Sequence, residues 1–490
     1  MILGVPFRST IRIHCISGRA RGVDASQTEE WSETVVLRDG DTRNSAILAS
    51  GAQTMNGTYK VFGGNRLEGT VTPIPNKNSL MGAIPIVVLA QNGLEILDMP
   101  KTHDVAGYLE ILESIGVRHR QNGKTTVFDS TGISTHRILS ERGRQFRGSF
   151  SLAGPLLARF GEAVLPIPGG CKLGYRSIAT HVTAFRELGV RAEETGDVVS
   201  LSLPRGWGCR HMVWLSEASV TTTINIASFA AGTNAEIEIR NAACEPHVRD
   251  VLLLLQKMGA RIDGIGSNHL FVGGTDELRH AVFQATPDFV DVAGYCVAAG
   301  VTKGRIVVRG GNTNDDMAGI LKRLSYFGLD ISLDGDDVTI DGERGLEIQA
   351  EKFPKAGHEL PKLAVAPWPG FPVDVLPVMV TLATKAAGRI LFQNWMYESG
   401  FDFTRELMYM GADIYICDPQ RIIVLEPKTT YTGGVVGSPG IIQGTKAIFL
   451  AALADPVETT IHGTEILMRR YPDILETYKK LGAEITAVTD

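Results

Sequence analysis

One pattern of apolar and polar positions recurs along the chain from about residue 100. An amphipathic helix is followed by an apolar–Gly–apolar triplet and then by a strand with alternating apolar and polar residues. The triplets are Ile115-Gly116-Val117, Leu188-Gly189-Val190, Met258-Gly259-Ala260, Phe327-Gly328-Leu329, Met410-Gly411-Ala412 and Leu481-Gly482-Ala483. Their glycines are separated by 73, 70, 69, 83 and 71 residues. Each falls where a helix ends and a left-handed residue closes the last turn. Helix–Gly–strand segments occur singly in any α/β protein, but six near-equal intervals do not follow from that. Units this long exceed most solenoid repeats. They predict an α/β fold in which helix-plus-strand modules share a core, most simply as two globular halves of three units each.

The first 54 residues lack this periodicity. Ser17 to Arg21 is basic, Glu29 and Glu30 are acidic, and Arg38 to Arg43 is strongly charged; a weak alternation at Ser9 to Cys15 suggests a strand. The opening apolar stretch is too short for a secretory signal and has no small-residue cleavage site after it. The expectation for 1–54 is a poorly ordered extension or translated sequence ahead of a start at Met55. An added regulatory or binding segment is the other reading.

Composition narrows the function classes. With 44% hydrophobic and 21% charged residues the chain is not intrinsically disordered. Its 48 Lys+Arg against 54 Asp+Glu argue against a nucleic-acid-binding surface. The longest apolar run, Leu80 to Ala90, contains a proline and falls well short of the ~20 residues a membrane helix needs. Six cysteines (Cys15, Cys171, Cys209, Cys244, Cys296 and Cys417) have no paired spacing. That predicts neither disulfides nor a zinc site, and a reducing, cytoplasmic setting by default.

The most chemically loaded segment runs from Phe146-Arg147 through Gly154 to Gly161 and on to Pro168-Gly169-Gly170-Cys171-Lys172 and Arg176. Three glycines and a proline around Cys171 make a loop, and a mobile loop suits a lid over reacting substrates. Lys172, Arg176 and Arg159 favour the thiolate, which suits a nucleophile or a proton donor. The alternative is a small buried apolar side chain. Lys77-Asn78 precede an apolar helix expected over Leu80 to Ala90, where backbone N–H groups and a lysine suit an anionic ligand; an ordinary solvated cap is the other reading. Asp374, on the turn Trp368 to Asp374 before the apolar run Val375 to Leu382, is either an N-cap or a base for a substrate hydroxyl.

In their order, these segments resemble the enolpyruvyl transferase family, and within it the peptidoglycan branch. The resemblance runs from about Phe62 to the C-terminus. It rests on Gly63 to Gly69, Lys77-Asn78, Gly154 to Gly161, Pro168 to Cys171, Arg176, Asn241 to Pro246, Pro369 to Asp374 and Leu481 to Ala483. The loop cysteine separates this branch from the shikimate-phosphate branch. The resemblance implies a two-domain inside-out α/β barrel, three repeated units per domain, with helices inside and strands outside. Residues 55–76 with 286–490 would form one domain, and 77–285 the other, carrying the cysteine lid loop.

The resemblance further implies two small-molecule substrates, phosphoenolpyruvate and a uridine nucleotide, with no cofactor and no metal. Lys77, Arg147 and Arg176 would clamp the phosphate and carboxylate. Cys171 would protonate C3 and be the attachment site for fosfomycin, Asp374 would act as base, and Asn78 would orient the acceptor. The chain departs from the family at three places. Gln393-Asn394-Trp395 stands where the family has Glu-Asn-Arg, with about five extra residues, Tyr397 to Phe401. Gln443 replaces an arginine, and Ala179 occupies the place of an aspartate before His181. Arg405 and Lys446 are candidates to replace the two lost arginines. The expected activity is enolpyruvyl transfer, with release of phosphate, to the 3-hydroxyl of UDP-N-acetylglucosamine or to the 3′-hydroxyl of UMP. The latter acceptor serves related transferases of nucleoside-antibiotic pathways. The alternative is a catalytically weak paralogue that binds a nucleotide or anion in a regulatory role.

Overall fold

The computed structural model describes residues 57–488 apart from 92, 169–176, 276, 426 and 427. The extension 1–54, including Ser9 to Cys15, and the segment carrying Cys171, Lys172 and Arg176 lie outside the described residues.

All six repeat glycines adopt the left-handed backbone, with φ between 80° at Gly189 and 118° at Gly259. At five of them the next residue donates its N–H to the carbonyl five positions earlier, as from Val117 to Leu112 and from Ala483 to Tyr478, both at 3.0 Å. This closes the helices His103–Ser114, Ala179–Glu187, Pro246–Lys257, Thr404–Tyr409 and Ile474–Lys480 with one motif. Each is followed by a strand, such as Arg118–Asn122 or Glu484–Val488.

A second set of helices is buried on nearly every side. All 13 residues of Phe289–Val301 and all nine of Leu376–Thr384 are buried. Only Gln443 in Ile442–Ala452 is not. These three pack on one another, and Ala153–Phe160 packs likewise on Val220–Ala231. The described strands form six sheets of three to five strands, one per repeated unit. Strands such as Arg118–Asn122 and Asp330–Asp334 are largely exposed, so helices lie inside and strands outside.

The expected apolar helix over Leu80 to Ala90 is broken. An α-helix spans Lys77–Ala83 and a 3-10 helix Ile84–Leu89. Pro85 has no N–H to return to Met81, so the α-helical ladder stops there.

Buried apolar residues form two clusters, one drawn from Tyr59 to Val71 with Phe289 to Ile485, the other from Leu80 to Ala285. Strand Thr58–Phe62 lies between Glu458–His462 and Glu484–Val488, antiparallel to both. Strand Ala281–Phe283 pairs in parallel with Leu94–Leu97. The chain therefore passes between the cores twice, and the two passages run side by side. Asn76 N donates to Thr286 O at 2.8 Å and Asp288 N to Ile74 O at 2.9 Å, and Pro75 bridges to Pro287. No helix among the described residues is long and apolar enough to cross a membrane.

Candidate active site

The paired passages deliver Lys77. Asn76 is fully buried and caps the helix Lys77–Ala83, its Oδ1 accepting from Asn78 N at 3.0 Å and Ser79 N at 3.3 Å. Lys77 Nζ lies 2.5 Å from Asp104 Oδ2. The same carboxylate accepts from Arg469 Nε at 3.0 Å and Nη2 at 3.2 Å. Burial lowers the Lys77 pKa despite Asp104. Burial would raise that of Asp104, but the charges of Lys77 and Arg469 outweigh it and hold it low. Two cations on one carboxylate leave a net positive charge, which suits an anionic substrate. Asn78 is half-buried one residue on.

Asp374 reaches the same region from the other side. It sits in the short 3-10 turn Val373–Val375, after the loop Trp368 to Pro372 and before helix Leu376–Thr384. Arg470 Nη1 is 3.7 Å from Asp374 Oδ2. The rest of that guanidinium grips Asp288 by two points, Nε to Oδ2 at 2.9 Å and Nη2 to Oδ1 at 2.7 Å. Asp288 also caps helix Phe289–Val301 and accepts from Lys77 N at 3.4 Å. Lys77 and Asp374, which stand beside different cores, thus belong to one polar network. Two further contacts join the same halves: Arg249 pairs with Asp316 at 2.6 and 2.7 Å, and Cys244 Sγ donates to Trp368 O at 2.9 Å. Burial, aided by Glu245, pushes the Cys244 thiol up to about 11, so it stays a donor at neutral pH.

A small pocket opens beside Asp374, lined in part by Asn394, Tyr397, Phe403, Ile441 and Gln443. The extra residues 397–401 fold over this spot. At Gly400 a Cβ would come within 2.0 Å of Asn394 Nδ2, so a larger residue there would have to displace the Asn394 amide. Trp395 is half exposed, and its indole N–H donates to Val365 O at 2.8 Å. The pocket wall is therefore neutral at Asn394, Tyr397 and Gln443.

Arg147 opens the 3-10 helix Arg147–Leu152, half-buried, and its charge reaches His181. His181 Nδ1 lies 3.1 Å from Asn225 Nδ2, and Nε2 lies 3.1 Å from Thr221 Oγ1. Asn225 Nδ2 also donates to Phe150 O, and its Oδ1 accepts from Gly154 N. Nδ1 is thus the acceptor and Nε2 carries the proton. Burial first, and Arg147 second, depress the His181 pKa to about 3, so the ring is neutral.

Lys446 is where the structure departs from expectation. It lies on the inner helix Ile442–Ala452, 1% exposed, not facing the pocket. Its Nζ is enclosed by the rings of Tyr471, Tyr478 and Tyr295 at 4.2, 4.8 and 5.6 Å, with Asp291 Oδ1 at 3.6 Å. Burial drives Lys446 down and Asp291 up, toward their neutral forms. Arg405 is exposed on helix Thr404–Tyr409 and takes no part in the ion pairs of the described residues. Four groups escaped the sequence reading: Asp104, Asp288, Arg469 and Arg470. The signals for the last three were two acids, Asp288 and Asp291, bordering an otherwise apolar helix, and two arginines between Leu467 and Tyr471.

Comparison with known proteins places this geometry. The sequence model of the family described as EPSP synthase (3-phosphoshikimate 1-carboxyvinyltransferase) matches residues 61–481. A UDP-N-acetylglucosamine 1-carboxyvinyltransferase of Bradyrhizobium diazoefficiens is 34% identical over 434 residues, covering 88% of this chain and 98% of that one. Its counterpart in Treponema denticola is 33% identical over 432 residues, covering 87% and 98%. Among solved structures, the enolpyruvyl transferase NikO from Streptomyces tendae matches with a TM-score of 0.76 at 22% identity, over 89% of this chain and 99% of that one. An EPSP synthase from Acinetobacter baumannii matches with 0.68 at 18% identity, over 88% and 100%. These structures share the fold.

Proposed function

Because the chain belongs to the EPSP synthase family and is an enolpyruvyl (1-carboxyvinyl) transferase, we propose that its acceptor is a hydroxyl of a uridine nucleotide. Phosphoenolpyruvate is the donor in this reading. The acceptor is the 3-hydroxyl of UDP-N-acetylglucosamine, the nucleotide in the names of the relatives, or the 3′-hydroxyl of UMP. The altered positions Ala179, Trp395 and Gln443 favour a specialised acceptor pocket.

The observation that carries the reading is that Lys77, paired with Asp104, and Asp374, paired with Arg470, join one polar network through the Lys77 backbone N–H on Asp288, with a pocket beside Asp374. Lys77, Arg147 and Arg176 hold the phosphate and carboxylate of the donor, with Arg469 supplying the charge the family draws from other arginines. Asn78 orients the acceptor. Asp374 takes the hydroxyl proton as that oxygen bonds to C2, and Cys171 gives a proton to C3. Phosphate then leaves C2 with the C–O bonding pair. A proton leaves C3 to restore the double bond, yielding an enol ether and inorganic phosphate. Burial of Lys77 and Asp104 strengthens each charge interaction, since low local dielectric multiplies Coulomb terms.

The test is phosphate release from phosphoenolpyruvate with UDP-N-acetylglucosamine, UMP, uridine and shikimate 3-phosphate supplied singly. Release driven by one of the two nucleotides is expected. Release driven by shikimate 3-phosphate would overturn the acceptor class. Tight nucleotide binding with no release would favour a regulatory binding protein.

A further inference from the structure

We propose that Arg470 is a positioning residue that holds Asp374 in register with Lys77 across the two chain passages. The inference rests on the reading of Asp374 as the base. A planar guanidinium has a fixed fork, and here Nε and Nη2 are both committed to Asp288. That leaves Nη1, which lies 3.7 Å from Asp374 Oδ2, an ion-pair contact rather than a hydrogen bond. The pair is deeply enclosed: Asp288 is 0% and Arg470 2% exposed.

Asp288 is itself immobilised. Its Oδ1 accepts from Val290 N at 2.9 Å, its Oδ2 receives Lys77 N, and its own N–H goes to Ile74 O in the neighbouring passage. The carboxylate of Asp374 is therefore referenced, through one guanidinium and one aspartate, to the first residue of the helix that presents Lys77. Lys77 and Asp374 stand beside separate hydrophobic cores; Arg249–Asp316, Arg469–Asp104 and Cys244–Trp368 also join these halves, but none of them pairs with Asp374. A base and a cation that act on one substrate need a fixed separation, and a displacement near 1 Å costs about 100-fold in rate.

Arg470→Lys keeps a charge on Asp288, but a single ammonium does not span both aspartates. The full chain carrying R470K is expected to keep its thermal transition and the KM values for both substrates within about twofold, and to lose about ten- to 100-fold in kcat. Arg249→Lys is the control, because Arg249–Asp316 also bridges the two halves but does not touch Asp374. Its kcat is expected to stay at the wild-type level. Wild-type kcat in folded R470K, a loss carried in KM, or an equal fall in R249K would each overturn the proposal. If R470K does not fold, Asp288→Asn, which frees the fork from its anchor, is expected to show the same kcat-only loss, and unchanged kcat there would overturn it. Asp374→Asn separates the two ideas. Full turnover in D374N removes the base assignment and Arg470 with it, whereas a dead D374N beside a fully active R470K removes only the positioning role.

Discussion

His181 makes acid a selective probe of the buried polar contacts beside Arg147 and Gly154. The ring is buried, neutral and held by Asn225 and Thr221, with its pKa depressed to about 3 by burial and by Arg147. In the unfolded chain it titrates near 6.5. Below about pH 6.5 the unfolded state therefore binds a proton that the folded state refuses, and stability falls with pH until about pH 3. At pH 5 the gap is about 1.5 pH units, which costs roughly 2 kcal/mol relative to pH 7. His181→Gln retains an acceptor for Asn225 Nδ2 and a donor for Thr221 Oγ1, but does not titrate. It loses ring packing on Phe150, whose centroid is 5.2 Å away, so it is less stable at both pH values. That loss cancels in a difference of differences, as does the similar contribution of His247, which burial holds at about 4. Urea unfolding of wild type and H181Q at pH 7 and pH 5 gives the four numbers needed. Wild type should lose about 2 kcal/mol more than H181Q over that interval. Equal losses, within about 0.5 kcal/mol, would refute the neutral buried ring.

Cys171→Ser should abolish alkylation by fosfomycin and most phosphate release, because the hydroxyl is a far weaker acid than the thiol; unchanged turnover, measured as phosphate, removes the cysteine from the mechanism. Gly154→Ala places a Cβ 2.1 Å from the backbone oxygen of Asn225, so helix Ala153–Phe160 must lift from Val220–Ala231. A loss of about 3 kcal/mol is expected in urea unfolding, and a loss below about 1 would show that the contact relaxes freely.

The repeat was legible in the sequence because it is local chemistry: a glycine at Gly116 or Gly482 closes the helix beside it whatever lies elsewhere. Fold class followed, since six such closures require six helix–strand units. Lys77 and Asp374 were legible as candidates from their turn contexts, but not the network that joins them. Arg469 meets an acid 365 positions away and Arg470 one 182 positions away, and two adjacent arginines look like a solvated surface in any local window. Lys446 misled for a different reason. One turn beyond Gln443 implies a shared face, yet a helix buried on nearly every side has no single face to share. Pro85 was visible, and its missing N–H explains the break that the apolar run concealed.

The central claim is transfer of enolpyruvate to a uridine nucleotide through groups drawn from both halves of the molecule. Mass spectrometry and NMR of the nucleotide after incubation with phosphoenolpyruvate and the full chain test it most directly. The account predicts an enol ether on one sugar hydroxyl of UMP or UDP-N-acetylglucosamine, formed one-for-one with phosphate. Phosphate released while both nucleotides are recovered unchanged would contradict it.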